Sequence, residues 1–162
     1  MEARRLVNGL RALALDDLGL AGALDLLVTE EKTRAGWVRA DFVHNVAGQR
    51  FDQTIETTVY RVAQEALTNA RKHAQAQTVR LSLLLGENAL TLEVCDRGAG
   101  FVPEQKTGEY GHLGLHAMAE RTALLGGRYD LQSTPGAGTT VRVTFPVPAY
   151  ALNPHLTPEG QQ

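Results

Sequence analysis

The sequence predicts an α+β two-layer sandwich, in which a mixed, mostly antiparallel sheet packs on three helices. Apolar and polar residues alternate over residues 79–85 and 90–94, on either side of the turn Gly86-Glu87-Asn88, as in a β-hairpin with one buried face. A second pair of strands is expected at about 128–133 and 139–147. The stretches before and between the hairpins have helical spacing of apolar residues. Helices covering one face of such a sheet would leave the other face more exposed.

The first part of the chain predicts two helices. Residues 2–15 have the apolar spacing of a short helix that has little of this chain to pack on. Asp16 or Asp17 is expected to act as the N-cap of a second helix over residues 18–33. Gly36 would end that helix.

The remaining elements follow in order along the chain. Trp37–Val43 is rich in residues that favour strands, and the longest helix is expected from about Gln53 to Ala74. The polar segment from Phe101 to Gly111 has no periodicity and predicts a mobile loop. A helix over Leu113–Leu125 would end at Gly126-Gly127, and the proline-rich tail from Pro148 is expected to be loosely held.

Composition and charge argue against several classes of function. With 43% hydrophobic and 21% charged residues, the composition is that of a soluble globular protein. A net charge of −2 without a long Lys/Arg run argues against a surface for nucleic acids or membranes. The single cysteine, Cys95, can form no intrachain disulfide, which indicates a reducing compartment, so the cytoplasm is the expected location. The first residues lack the apolar core expected of a signal peptide, and no run approaches the about 18 apolar residues expected of a membrane span.

One stretch of the longest helix places polar residues beside its apolar face. At about 100° per residue, a single apolar stripe is formed by Ile55, Val59, Val62 and Ala66. Asn69 and His73 fall on or beside this stripe, and Glu65 and Lys72 lean over the same side. Such groups are costly to bury without partners. Breaks in the local pattern of this kind indicate a functional site.

Three glycine-containing turns add a second signal. They are Asp96-Arg97-Gly98-Ala99-Gly100, Gly111-His112-Leu113-Gly114-Leu115 and Gly136-Ala137-Gly138-Thr139. Taken singly, each is explained by a turn that needs positive φ. Together with the helix they fit a polyphosphate nucleotide, because Asn69 can offer an amide oxygen to Mg²⁺ and Asp96 can accept from an exocyclic amine. Backbone N–H groups of Gly111–Leu115 would face the phosphates. No P-loop and no dinucleotide-binding fingerprint is present.

In this order, the motifs resemble the N, G1, G2 and final G boxes of the GHKL ATPases. The resemblance is carried by Glu65-x-x-x-Asn69-x-x-Lys72-His73, Asp96-x-Gly98-x-Gly100, Gly111-His112-Leu113-Gly114-Leu115 and Gly136-x-Gly138-Thr139. More narrowly, residues 10–20 and 114–127 are similar to the catalytic ATP-binding domain of bacterial sensor histidine kinases of the NarL/DesK-like class. The resemblance covers roughly residues 8–146 and implies a Bergerat-type ATP-binding fold.

The resemblance also implies a role for each residue of the boxes. Asn69 would bind Mg²⁺, and Glu65 would orient or deprotonate a water or the attacking group. Asp96 would read the adenine amine, and the Thr139 hydroxyl would complete that side with a water. The other ATP-binding positions are Lys72 and His73 at the phosphates, Gly98 and Gly100 beside adenine, and Gly111, His112, Leu113, Gly114 and Leu115 around the triphosphate, under a lid of about Val102 to His112. Outside this context, His73 would more often be a core histidine, Asp96 could equally well be a turn cap, and the role of His112 stays open.

The phosphorylated histidine of this family lies on a dimerisation hairpin and is typically followed by an acidic residue. The five histidines here are followed by Asn45, Ala74, Leu113, Ala117 and Leu156. We therefore expect residues 1–15 to end that hairpin or a linker, residues 16–147 to form the ATP-binding domain, and residues 148–162 to form a loose tail. This chain is expected to bind ATP and Mg²⁺ without phosphorylating itself.

The implied partners are the hairpin, a response regulator with a DNA-binding output domain, and a second copy of the full-length protein; no direct contact with nucleic acid is expected. Any membrane anchor would lie in segments outside this chain. Three alternatives remain, one of which is an α+β interaction domain with incidental glycines that would bind no nucleotide. An anti-sigma-type serine kinase shares the fold, but the stretch Leu15–Leu20 argues against it. A nucleotide-binding regulatory module without transfer activity is disfavoured by the presence of Glu65 and Asn69.

Overall fold

The computed structural model describes the backbone of residues 2–105 and 110–147, and the side chains of residues 13–104 and 113–147. Its helices are α1 (Glu2–Ala35), α2 (Gln53–Lys72) and α3 (Tyr110–Leu124). Its strands are β1 (Arg39–His44), β2 (Thr78–Leu85), β3 (Ala89–Asp96), β4 (Arg128–Thr134) and β5 (Gly138–Pro146). A short 3₁₀ turn, Pro103–Gln105, lies between β3 and α3.

The strands form one sheet in the order β1-β2-β3-β5-β4. Strand β1 pairs with β2 in parallel, with α2 as the connection, and the other pairs are antiparallel. The last strand is inserted between β3 and β4, so that Asp96 at the end of β3 lies opposite Thr139 at the start of β5. This mixed, mostly antiparallel sheet with its helices confirms the predicted fold class.

All three helices cover the same face of the sheet. Helix α2 packs on β2, β3 and β5, whereas α1 packs on β1 and α3 packs on β4 and β5. Along β3, the buried Leu90, Leu92 and Val94 alternate with the half-buried Thr91 and Glu93, as expected for a sheet with one covered face. The side of α2 that meets the sheet and α1 carries the buried residues Val59, Val62, Ala63, Ala66, Leu67 and Ala70.

The starts of β1 and α3 differ from the predicted ones. Strand β1 begins at Arg39 rather than Trp37, because Gly36, with φ of +68°, ends α1 and the Trp37 N–H donates back to the Lys32 carbonyl at 3.2 Å. Trp37 is thereby buried in the core. Helix α3 begins at Tyr110, so residues 110–112 of the predicted loop and lid are helical. Residues 106–109 and the tail from Pro148 lie outside the described residues.

Helix α1 is interrupted by one non-helical residue. The N-cap predicted at Asp16 or Asp17 is wrong, because the helix continues through both aspartates and the break falls at Gly19, with φ of 69° and ψ of 178°. A backbone with this positive φ favours glycine, since any side chain would be strained there. The domain boundary predicted between residues 15 and 16 therefore falls inside α1 and stays a prediction.

The guanidinium group of Arg50 connects the segment before this break to α2. Its Nε and Nη2 donate to the Glu56 carboxylate at 3.2 and 3.3 Å, and its Nη1 donates to the Asp16 carbonyl at 3.1 Å. Glu56 is only 2% exposed and also accepts the N–H of Phe51 at 3.0 Å. A carboxylate buried to this extent depends on a paired cation.

Replacing Arg50 by alanine should lower the free energy of unfolding by about 1–3 kcal/mol, because Glu56 would stay buried with its charge no longer paired to Arg50. Arg39→Ala is the matched control, since Arg39 pairs with Asp41 on the surface, where ion pairs contribute at most about 1 kcal/mol. Urea denaturation followed by circular dichroism measures both losses. Equal losses in the two variants would contradict the importance of the Arg50–Glu56 pair.

Candidate functional site

A pocket opens at the end of the sheet where β3 ends and β5 begins. The residues that line it are Ala66, Asn69, His73, Ala74, Val94, Asp96, Gly100, Phe101, Leu115, Thr139 and Val141. They come from α2 and the residues after it, β3, the loop after β3, α3 and β5, so that parts of the chain far apart in sequence meet here. The open space of the pocket, including solvent at its mouth, is about 570 Å³.

The floor of the pocket continues two apolar rows of the covered sheet face. Because side chains alternate along a strand, Val94 and Asp96 share one face of β3, and Val141 and Thr139 share the same face of β5. Asp96 is 6% exposed and stands where the pattern would otherwise continue with an apolar residue. Its Oδ1 accepts the N–H of Gly98 at 2.9 Å, so Asp96 caps a turn as well as lining the pocket.

The wall above this floor is the C-terminal part of α2. Ala66, Asn69 and His73 recur there at helical spacing, and all three line the pocket. Asn69 is half-buried, and its carbonyl accepts the N–H of His73 at 2.9 Å. His73 forms the C-cap of α2 and is exposed, so the alternative of a core histidine is wrong. Lys72 is exposed at the end of the helix and is not among the lining residues.

Close backbone packing explains the glycines of the loop after β3. A Cβ on Gly98 would lie 2.3 Å from the Ala74 carbonyl oxygen. Gly100 has φ of +61°, and a Cβ on it would lie 2.0 Å from the Thr134 carbonyl oxygen. Between them, the Ala99 N–H donates to the Ala74 carbonyl at 2.7 Å. The loop is thus held between the end of α2 and the turn that joins β4 to β5.

Helix α3 contributes Leu115 to the pocket and rests on α2 through Gly114. A Cβ on Gly114 would lie 2.1 Å from Glu65 Oε1, so the two helices meet at this carboxylate. Glu65 therefore faces α3 and is not among the lining residues. Leu113 is 71% exposed on the outside of α3. Gly111 and His112 lie in the first turn of α3, and the side chain of His112 lies outside the described residues.

Burial raises the pKa of the Asp96 carboxyl above its ordinary value of 3.8. The backbone N–H groups of Gly98 and Thr139 act in the opposite direction, because they favour the carboxylate, but burial is the larger effect. As a carboxylate, Asp96 can accept more hydrogen bonds than these two. An acceptor at the end of an apolar pocket suits a flat heteroaromatic ring, which gains burial together with one directional hydrogen bond.

Five apolar residues of the pocket were not among the predicted site residues: the alanines Ala66 and Ala74, and the larger Val94, Val141 and Phe101. Two of them carry a signal in the sequence, since strand alternation places Val94 on the face of Asp96 and Val141 on the face of Thr139. Phe101 carries no such signal, because its position depends on the path of the loop between β3 and α3.

Within the part of the chain that the structure describes, no group of three or more His, Cys, Asp or Glu side chains is placed to hold a metal ion. The helices of the described residues include none that is long and apolar enough to cross a membrane.

Residues 54–149 match the family described as histidine kinase-, DNA gyrase B-, and HSP90-like ATPase. The chain is 36% identical over 146 residues to the signal transduction histidine-protein kinase/phosphatase DegS of Brevibacillus brevis. It is 41% identical over 146 residues to the oxygen sensor histidine kinase NreB of Staphylococcus carnosus (strain TM300). Both alignments cover 90% of this chain but only 37% and 42% of those relatives, so the chain spans about two-fifths of their length.

Solved structures share the fold. The histidine kinase domain from the Erythrobacter litoralis EL346 blue-light activated histidine kinase aligns with a TM-score of 0.65 at 18% identity, over 86% of this chain and 72% of that one. The Erythrobacter litoralis EL346 blue-light activated histidine kinase itself aligns with a TM-score of 0.64 at 20% identity, over 79% of this chain and 45% of that one. At such identities the likeness concerns the fold alone.

The raised pKa of Asp96 predicts a pH dependence of stability. Between pH 3.8 and the higher pKa of the folded state, the folded chain holds more protons at Asp96 than the unfolded chain. The contribution of Asp96 to the free energy of unfolding therefore falls as pH rises through this window and is constant above it. Urea denaturation of the chain and of Asp96→Asn across this range isolates the contribution, since asparagine does not titrate. A free energy of unfolding of the intact chain that rises with pH relative to that of Asp96→Asn would contradict the burial argument.

Proposed function

Because the chain belongs to the histidine kinase-, DNA gyrase B-, and HSP90-like ATPase family, we propose that its pocket binds ATP for transfer of the γ-phosphoryl group to a histidine. The chain would be the catalytic ATP-binding domain of a two-component sensor histidine kinase. Its similarity to two proteins named as histidine kinases supports this assignment. The phosphorylated histidine would lie on a dimerisation hairpin outside these 162 residues.

The buried carboxylate of Asp96 is the observation that carries this proposal. Adenine is a flat ring whose exocyclic amine needs an acceptor, and Asp96 supplies one at the end of a pocket lined by Val94 and Val141. Thr139, paired with Asp96 across the two strands, adds a hydroxyl group on the same side. Gly98 and Gly100 would hold the loop backbone beside the ring, because neither has a side chain between the loop and the carbonyls of Ala74 and Thr134.

The ribose and phosphates would extend from there along α2. Asn69, half-buried in the wall of the pocket, would hold Mg²⁺ through its amide oxygen together with phosphate oxygens. When bound, Mg²⁺ would neutralise part of the phosphate charge. The proposed phosphate contacts are Lys72, His73 and the segment Gly111, His112, Leu113, Gly114 and Leu115, whose first residues lie in the first turn of α3, where backbone N–H groups favour anions.

Glu65 is proposed to orient or deprotonate the attacking group. Its carboxylate lies against Gly114, so the helix that carries the proposed phosphate-binding segment also determines where this carboxylate points. The remaining contribution to transfer would be positioning and charge neutralisation, as is usual for phosphoryl transfer.

The proposed partners follow from the same assignment. Residues 1–15 would end the dimerisation hairpin or a linker, and residues 16–147 would form the catalytic domain ahead of a tail over 148–162. Leu13 and Leu18 are 56% and 55% exposed, which leaves apolar surface near the start of the chain for the hairpin to cover. A response regulator with a DNA-binding output domain would receive the phosphoryl group, and the full-length protein would be a homodimer acting in the cytoplasm.

Nucleotide binding is tested by calorimetric titration with a non-hydrolysable ATP analogue, with and without Mg²⁺. Asp96→Asn should weaken binding by about 10- to 100-fold, because a hydrogen bond to a charged acceptor is lost. Asn69→Ala should remove the gain in affinity that Mg²⁺ provides and leave the metal-free affinity nearly unchanged.

Asn88→Ala is the matched control, since Asn88 is exposed in the turn between β2 and β3 and should leave both affinities unchanged. Equal affinities for the intact chain and Asp96→Asn would contradict the assignment of the adenine site. No binding to the intact chain would contradict the ATP site as a whole.

Phosphoryl transfer is tested with radiolabelled ATP. The isolated chain should form no acid-labile phosphohistidine, because its phosphoacceptor is proposed to lie elsewhere. The hairpin of the full-length protein, added in trans, should be labelled on histidine, and Glu65→Gln should slow this labelling by about 100-fold. Phosphohistidine on the isolated chain would contradict the proposal that the phosphoacceptor histidine lies outside it. Acid-stable phosphoserine would favour a serine kinase instead.

A further inference from the structure

Ser133 lies on β4 beside the turn to β5 and does not itself line the pocket, but it contacts two residues that do. Its Oγ accepts the backbone N–H of Phe101 at 2.9 Å and lies 2.8 Å from Thr139 Oγ1. It also lies 3.2 Å from the Gly138 carbonyl oxygen, to which it can donate. A single hydroxyl group therefore joins the first residues of β5 to the loop that follows β3.

The number of donors and acceptors limits what these groups can do. A serine hydroxyl has one hydrogen and two lone pairs, and the Phe101 N–H uses one lone pair. If the Ser133 hydrogen goes to the Gly138 carbonyl, Thr139 must donate to Ser133 and keeps its lone pairs for a ligand. If the hydrogen goes to Thr139 instead, the Thr139 hydrogen is free for a ligand. In both cases Ser133 holds the rotation of the Thr139 hydroxyl.

The strand register makes these contacts specific. Ser133 pairs directly with Thr139 across the hairpin of β4 and β5. Two further contacts hold the same hairpin against the loop, since the Gly136 N–H donates to the Ala99 carbonyl at 2.7 Å and the Thr134 carbonyl lies against Gly100. The contact between Ser133 and Phe101 is therefore part of a fixed junction on the side of the pocket where Thr139 and Asp96 lie.

We propose that Ser133 is a positioning residue for the base of the bound nucleotide. It fixes the Thr139 hydroxyl and the backbone of Phe101, which flank the proposed adenine position, and acts on the base only through them. This inference rests on the proposed ATP-binding function of the pocket. It concerns the base end of the nucleotide alone, because among the described residues Ser133 forms its hydrogen bonds with Phe101, Gly138 and Thr139, and not with Asn69 or His73 on the side proposed for the phosphates.

Affinities for ATP, ADP and inosine triphosphate, measured by titration of the intact chain and of Ser133→Ala, test the proposal. Inosine triphosphate has the same phosphates but a carbonyl in place of the exocyclic amine. Ser133→Ala should weaken ATP and ADP by the same factor, about three- to tenfold, which is the range of one lost hydrogen bond. Inosine triphosphate should be weakened less, so that the preference for adenine falls while the ratio of ATP to ADP affinity stays constant.

Ser133→Thr keeps the hydroxyl group and should retain the adenine preference of the intact chain. Gln132→Ala, on the neighbouring exposed position of β4, should change none of the affinities. Ser133→Cys replaces the hydroxyl by a weakly hydrogen-bonding thiol and should also lose the preference for adenine. It provides a second variant if Ser133→Ala does not fold.

An equal loss for ATP and inosine triphosphate, or no loss at all, would overturn the positioning role while leaving the ATP site intact. Failure of the intact chain to bind any of the three nucleotides would overturn the proposed function, and this inference with it.

Discussion

The pairing of β3 with β5 is the constraint on which the candidate site depends. It places Asp96 opposite Thr139, and the same register sets Leu90 opposite Phe145 and Leu92 opposite Val143 in the core. A slip of one residue would turn every side chain of one strand to the other face and expose its apolar row. Burial of these apolar pairs therefore fixes the register of β3 and β5. The register in turn sets Asp96 opposite Thr139.

Close contacts between backbone atoms surround the pocket, and few polar groups line it. Cβ atoms on Gly98 and Gly138 would lie 2.3 and 2.1 Å from the carbonyl oxygens of Ala74 and Asp96, so these contacts allow no side chain. Asp96 itself opposes stability, because burial disfavours its charged form, as its raised pKa indicates. Retaining a carboxylate there is typical of a site selected for binding rather than for folding.

Local patterns in the sequence were sufficient to predict most of the elements, because alternation and helical spacing are properties of neighbouring residues. The hairpin of β2 and β3 and helix α2 are examples. The insertion of β5 between β3 and β4 joins residues that are far apart in sequence. It was not predictable, because β5 would show the same alternation of apolar and polar residues next to any other strand. The predicted N-cap failed for another reason: Asp16 and Asp17 are good capping residues, but Gly19, shortly after them, adopts the positive φ at which the helix breaks.

The candidate site likewise has features that local motifs predicted and features that depend on tertiary packing. Asn69, His73, Asp96, Gly100, Leu115 and Thr139 were predicted from ordered motifs, and the structure brings all six to one pocket. The direction of Glu65 towards Gly114 was not predictable, because it depends on how α3 packs on α2. The contacts of Ser133 were not predictable either, since they join a hairpin to a loop more than thirty residues away in sequence.

The structure of the chain with a non-hydrolysable ATP analogue and Mg²⁺ is the most direct test of an ATP site at the junction of β3 and β5. We expect the adenine amine within about 3.2 Å of the Asp96 carboxylate, with the phosphates and the metal ion on the side of Asn69. A nucleotide bound elsewhere on the chain, or one whose phosphates occupy the position beside Asp96, would contradict it.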